Sequence, residues 1–204
     1  KSGKLVAPLE SGHSAAVESV AFSRDGKKVI SGGKDRIIRI WDKEAVKELK
    51  RLKGHEWKIN SLAVAQDGQT LISTSAYEDG LRFWDMEAAR QTSTHAIGKD
   101  RRGAHGLALA PNGRTIACIG SDNTDQFLHV WDVSSSKERF ERLKLPFANG
   151  TNRPLFMPDS RTIVVTEYPN VALIDSTDGR LISRRAFWPG IGPLIVNGIV
   201  LSPD

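Results

Sequence analysis

Three stretches of this chain end alike: Ile38-Arg39-Ile40-Trp41-Asp42, Leu81-Arg82-Phe83-Trp84-Asp85 and Leu128-His129-Val130-Trp131-Asp132. Their tryptophans stand 43 and 47 residues apart. A fourth stretch, Val171-Ala172-Leu173-Ile174-Asp175, follows 43 residues later with Ile174 where Trp stood. A second landmark recurs upstream of each: Ser23-Arg24-Asp25-Gly26, Ala65-Gln66-Asp67-Gly68, Ala110-Pro111-Asn112-Gly113 and Met157-Pro158-Asp159-Ser160. It returns at the end as Leu201-Ser202-Pro203-Asp204. Two landmarks held in register at one period mark an internal repeat of supersecondary units.

Inside each period the apolar residues alternate, which is strand arithmetic. Val17, Val20 and Phe22 lead into the Asp25-Gly26 turn, then come Val29-Ile30, a second turn, and Ile37 to Trp41. Asp-Gly and Asn-Gly between short apolar runs are strong hairpin signals. A fourth, more polar run follows each Trp-Asp, at 46–52, 87–95, 139–145 and 181–187. Four short antiparallel strands in about 40–45 residues predict one propeller blade. The expected architecture is all-β, with no helix of consequence. Residues 1–12 read as the outer strand of a preceding blade. Residues 13–53, 54–98, 99–146 and 147–189 read as four complete blades, the last degenerate, and 190–204 as the first strand of a following blade.

Composition agrees with a folded chain. Of 204 residues 39% are hydrophobic and 26% charged, too apolar for disorder. No apolar run approaches the roughly 20 residues of a spanning helix, so no membrane association is expected. The single Cys118 excludes an internal disulfide and any cysteine-based zinc cluster. The chain opens on Lys1 without Met, so it reads as an internal piece fused to further blades or another domain. The compartment is left open on these grounds, with the cytoplasm favoured.

These residues resemble the WD-repeat family, in the form common among bacterial members, over essentially the whole chain. The first unit carries Gly12-His13, Ser31, Asp35 and Trp41-Asp42, the family's full frame. The second carries Gly54-His55, Ser73, an acid at Glu78 or Asp79, and Trp84-Asp85. The third keeps Asp125 and Trp131-Asp132 but has Cys118 for Ser and no Gly-His; the fourth has Val165 and Ile174 at the Ser and Trp positions. The resemblance implies a buried relay from Trp41 to Ser31 to His13 to Asp35. Its second copy would use Trp84, Ser73, His55 and Glu78. It also implies a ring that usually closes with seven blades, of which this chain would supply somewhat over half.

His13, Ser31 and Asp35 also compose a Ser-His-Asp set, but no nucleophile elbow accompanies it, so the relay is the expectation and no catalytic residue is assigned. The five histidines lack metal-ligand spacing and no phosphate loop is present, so neither a metal nor another cofactor is expected. A net charge of +5 raises the question of nucleic acid. The cations sit mainly in the fourth runs, interleaved with Glu44, Glu48, Glu138 and Glu141 and without stacking aromatics, so they read as a solvated edge that blocks edge pairing.

The resemblance places partner contacts on the loops joining each outer strand to the next inner one. Carried over residue by residue, these are Ala16, Glu18 and Lys34, then Lys58, Asn60 and Tyr77, with Trp57 as a further aromatic anchor. The weaker units would add His105, Thr124 and Asn152. The expected function is a non-catalytic scaffold binding a protein or peptide on that face. The alternative is a regulatory propeller of a larger enzyme, such as a bacterial Ser/Thr protein kinase.

Overall fold

The computed structural model describes residues 12–75, 77, 80–97, 104–121, 125–145, 153–167 and 170–186. The two stray strands expected at 1–12 and 190–204 lie outside the described residues except for Gly12. Within them the chain is all-β without a helix. Its first sheet contains β1 (Val17–Phe22), β2 (Lys28–Gly33), β3 (Ile38–Asp42) and β4 (Lys47–Leu52), paired antiparallel in chain order. The second repeats the pattern with β5 (Ile59–Val64), β6 (Thr70–Ser75), β7 (Leu81–Asp85) and β8 (Arg90–His95). The third has β9 (Ala104–Leu109), β10 (Thr115–Ser121) and β11 (Gln126–Asp132), with β12 (Lys137–Glu138) and β13 (Leu143–Lys144) sharing its outer edge. The fourth is β14 (Leu155–Phe156), β15 (Thr162–Glu167), β16 (Asn170–Asp175) and β17 (Leu181–Ala186). The first strands β1, β5, β9 and β14 lie beside one another in sequence, so the sheets stand as consecutive blades around them.

The recurring aspartates are explained by turn chemistry. Asp42 and Asp85, each just after the Trp, accept backbone N–H groups two and three residues on at 2.7–2.8 Å. Asp132 and Asp175 do the same with Ser135 (2.9 Å) and Thr177 (2.8 Å). Asp25, Asp67, Asn112 and Asp159 cap the first turn of each blade by accepting the N–H two residues on. Such Asx turns fold the chain locally, before any blade has a partner. Gly26, Gly68 and Gly113 follow in the left-handed region, where an L side chain is disfavoured.

Each hydrophobic core is a layer between two blades. Ile30, Ile38, Ile40 and Leu52 meet Leu62, Leu71, Trp84 and Met86. Ile72, Leu81, Phe83 and Ile97 meet Ile116, Cys118 and Trp131. Ile119, Leu128, Val130 and Leu145 meet Phe156, Ile163, Val165 and Ile174. The middle strands are therefore buried on both faces, as in β3 and β6, and no blade has a core of its own. The first blade's other face leaves Val20 and Phe22 exposed, whereas their register equivalents Leu62 and Val64 are packed by the blade before.

The run at 139–145 is not one strand. The register of β12 against β11 and that of β13 differ by two residues, leaving a wide bulge between them. The bulge is anchored on both sides. A Cβ on Gly179 of the next blade would strike the Phe140 ring, and the Arg142 guanidinium stacks 3.9 Å from the Phe127 centroid. Burial of Phe140 against the neighbouring turn thus overrides the ladder. β4, β8 and β17 each carry a smaller register shift at the same level.

Candidate functional site: a relay beneath a loop surface

In the first blade Ser31 on β2 and Trp41 on β3 face His13, which arrives from the loop before β1. Trp41 Nε1–H donates to Ser31 Oγ at 2.7 Å, and that oxygen lies 2.7 Å from His13 Nε2. His13 Nδ1 lies 2.8 Å from Asp35 Oδ2. A carboxylate only accepts and an indole only donates, so the directions are fixed from both ends. Trp41 donates to Ser31, Ser31 donates to Nε2, and Nδ1–H donates to Asp35. Burial works against the Asp35 carboxylate, but the His13 bond and the Ile37 and Ser14 N–H groups outweigh it and hold the carboxyl below its usual range. Ser31 is only 6% exposed and its oxygen already receives the indole N–H. A nucleophilic Ser31 would need that oxygen free of Trp41, a condition this geometry does not meet.

The second blade places His55 Nε2 2.7 Å from Ser73 Oγ, with Trp84 Nε1–H donating to the same oxygen at 2.8 Å. The acids Glu78 and Asp79 lie outside the described residues. The third blade is different. Trp131 Nε1 is buried with no partner, Cys118 fills the Ser position, and Asp125 pairs with Lys144 Nζ at 2.7 Å. No relay therefore joins Asp125 to Trp131. The His95 ring, from the end of β8, packs 4.8 Å from the Trp131 ring and edge-on to Phe83, and burial pulls its pKa down. Cys118 is fully buried, and burial pushes its thiol far up, with the Glu138 charge adding to the effect. The fourth blade has Val165 and Ile174 in an apolar layer.

A second polar tier runs alongside, unannounced by the motif. Arg39 donates to Glu48 Oε2 at 2.5 Å and lies 3.6 Å from Asp35. Arg82 donates to Gln91 Oε1 at 2.7 Å, and His129 Nδ1 lies 2.8 Å from Glu138 Oε1. Each pair is nine residues apart, a regularity that the sequence does contain. Glu48 thus bridges the buried Arg39 and the edge cation Arg51, and Glu138 reaches the buried His129, so these two acids of the outer runs turn inward. Burial opposes ionisation of Glu48, yet Arg51 and Arg39 together keep its carboxyl below the usual range.

Above the relay the connecting loops are tied to one another. Lys34 N–H donates to Ala16 O at 2.9 Å, Arg36 reaches Glu56 O at 3.4 Å, and Ser75 Oγ donates to Lys58 O at 2.9 Å. Glu18 and Asn60 stand at bulges in the inner strands, where a bulge re-aims the side chain. Glu18 pairs with Lys34 at 3.7 Å, and Asn60 reaches across to Ala104 O of the next blade at 3.4 Å. Trp57 and Tyr77 are 51% and 59% exposed and touch edge-to-face, centroids 5.4 Å apart. Ala16 and Lys58 are exposed beside them. In the third blade the bulged residue is Gly106, and His105 takes a paired position opposite Ile119. Thr124 and Asn152 lie outside the described residues.

Comparison with known proteins bears on the repeats and on the fold. Residues 3–42 and 46–85 match the family described as WD domain, G-beta repeat. The chain is 29% identical over 131 residues to the anaphase-promoting complex subunit cdh1 of Dictyostelium discoideum, covering 64% of this chain and 16% of that protein. It is 25% identical over 136 residues to the pre-mRNA-processing factor 19 homolog 2 of Arabidopsis thaliana, covering 66% of this chain and 24% of the relative. Over 71 residues it is 37% identical to the guanine nucleotide-binding protein subunit beta of Schizosaccharomyces pombe, covering 35% and 23%. The chain thus spans a quarter or less of these relatives. Hydrazine synthase of Kuenenia stuttgartiensis superposes with a TM-score of 0.66 over 78% of this chain and 51% of that one, at 17% identity, a likeness of fold alone. Proteins built of such repeats generally act as non-catalytic interaction scaffolds. Two repeats of that family are thus matched, over 3–42 and 46–85, and the four sheets are blades of the β-propeller kind.

Proposed function

We propose that this chain is a binding platform that captures a protein or peptide segment on the loop end of its blades, with Trp57 and Tyr77 as anchors. The exposed edge-to-face aromatic pair carries the reading. Two large rings held half out of water offer apolar area at little entropic cost, as binding hot spots do. Loop-to-loop hydrogen bonds and the relay beneath hold the surface before a partner arrives, which lowers the cost of association. Glu18, Lys34, Lys58 and Asn60 form the polar rim. The relatives support the reading through their names, which describe one as a subunit of a complex and another as a subunit of a nucleotide-binding protein.

The test selects peptides from a displayed library on the intact chain and measures them against Trp57→Ala/Tyr77→Ala. A loss of about tenfold or more in affinity is expected, with an unchanged thermal midpoint because both rings are at the surface. Selected peptides that bind the double variant as tightly as the parent move the site off this end.

A further inference from the structure

Charge is distributed unevenly between neighbouring blades. Residues 17–52 hold ten Lys and Arg against six Asp and Glu, whereas residues 59–95 hold two against five. At the end opposite the loops, the two turns of the first blade are joined by the Lys43 N–H donating to Lys27 O at 2.9 Å. That hydrogen bond gathers Arg24, Lys27, Lys28, Lys43 and Lys47 on one surface, all exposed except the half-buried Lys28. The acids among them are Asp25, Asp42 and Glu44. Asp25 is bonded to Ser23 Oγ at 2.6 Å and to the Lys27 N–H at 3.0 Å, and Asp42 to the N–H groups of Glu44 and Ala45. Two of the three carboxylates are thus held against the backbone while the ammonium groups project.

The same end of the second blade is acidic, with Asp67, Asp85 and Glu87 against Arg90. Lys50 Nζ lies 3.4 Å from Glu87 Oε1, which marks the border between the two signs. Phe22, 60% exposed nearby, belongs to a different surface, since its equivalent Val64 is packed by the preceding blade.

We propose that the turn end of the first blade docks a short acidic segment of a partner protein. A cationic patch bounded by acids favours a short segment over a long polyanion, because phosphates running on across the second blade would meet like charge. Stacking aromatics, the usual complement of single-stranded nucleic acid sites, do not accompany the five cations.

The experiment measures fluorescence anisotropy of a labelled short peptide of Asp, Glu and Ser with the intact chain, at low and at physiological salt. Lys27→Glu/Lys43→Glu/Lys47→Glu should weaken binding about tenfold or more at low salt, while Arg180→Glu/Arg184→Glu/Arg185→Glu, at exposed positions of the fourth blade, leaves it within about twofold. Equal loss in both triples means attraction by net charge and overturns the proposal. Oligothymidylate bound more tightly than the peptide, and lost in the same turn-end triple, also overturns it and gives the surface to nucleic acid. The corresponding Lys→Gln triple at the turn end, which reverses no charge, must still lose about threefold. Should the Glu triple fail to fold, an unaltered affinity in the Gln triple refutes the site.

Discussion

Three tryptophans occupy one position in three blades but differ in what receives their N–H, which makes them a controlled comparison. Trp41 and Trp84 donate to Ser31 and Ser73 at 2.7 and 2.8 Å, whereas Trp131 Nε1 is buried with no acceptor. Replacing each by Phe removes a similar apolar area, so the packing loss is common to all and cancels. The polar part does not cancel. In Trp84→Phe a satisfied bond is lost, worth about 1–2 kcal/mol, and the Ser73 oxygen keeps only its histidine. In Trp131→Phe an orphaned donor disappears, relieving about 1–3 kcal/mol of desolvation cost. Trp84→Phe should therefore destabilise by roughly 2–5 kcal/mol more than Trp131→Phe. Urea titrations followed by far-UV circular dichroism read the difference without using tryptophan as the probe. A second arm uses Cys118→Ser, which restores an acceptor at the Ser position. On that background Trp131→Phe should become costlier, with a coupling of about 1 kcal/mol. Equal costs for Trp84→Phe and Trp131→Phe, with no coupling to Cys118→Ser, would refute the claim that the relay bond distinguishes the blades.

Gly80 has φ of 105°, and a Cβ there would fall on the carbonyl of His95, its neighbour across the β7–β8 edge. Gly80→Ala should cost about 3 kcal/mol or more, seen as a fall in the thermal midpoint, whereas Gly26→Ala, whose Cβ meets open space, should cost about 1–2 kcal/mol from backbone strain alone. Asp175 is 2% exposed, and the Arg161 bond, followed by the Thr177 N–H, lowers its carboxyl to about 2. A depressed folded-state value means that the stabilisation is whole above about pH 4 and disappears as pH falls through the folded value near 2. The linkage is worth at most roughly 2 kcal/mol, reduced by the exposure of Arg161. Asp175→Asn should flatten the acid limb of stability against pH, and an unchanged limb would show that the carboxylate is not what titrates.

The fold was legible because its signals are local and repeated. Asp-Gly turns, period-two alternation and Trp-Asp ends are each decided within a few residues, and four copies in register leave little freedom. What could not be read depends on residues distant in the chain. His95 against Trp131 joins two blades and follows from the absence of a Gly-His before β9, an absence that does not say what fills the gap. Phe140 on Gly179 breaks the outer strand of the third blade through a contact with a turn of the fourth. The inward Glu48 and Glu138 look identical in sequence to their solvated neighbours; the register sets each opposite a tryptophan, and only the side-chain bonds show that they reach Arg39 and His129.

The same distinction bears on function. The relay histidine enters from the loop before β1 and its acid from the loop between β2 and β3, so one buried bond chain fixes two loops at once. The bond chain from Trp to Ser to His is present in the first two blades, and the loops of the second carry the exposed aromatic pair. In the third and fourth blades the position of the relay serine is filled by Cys118 and by Val165. A polar network costs desolvation that an apolar layer avoids, so its retention in two blades out of four needs a reason beyond packing. Holding the Trp57–Tyr77 surface in one conformation supplies that reason. It follows that Ser73→Ala should weaken peptide capture at the loop end by more than its effect on folding explains, with nothing on the surface altered. An affinity that falls only in step with the unfolded fraction would mean that the relay holds the blade together and does nothing for the loops.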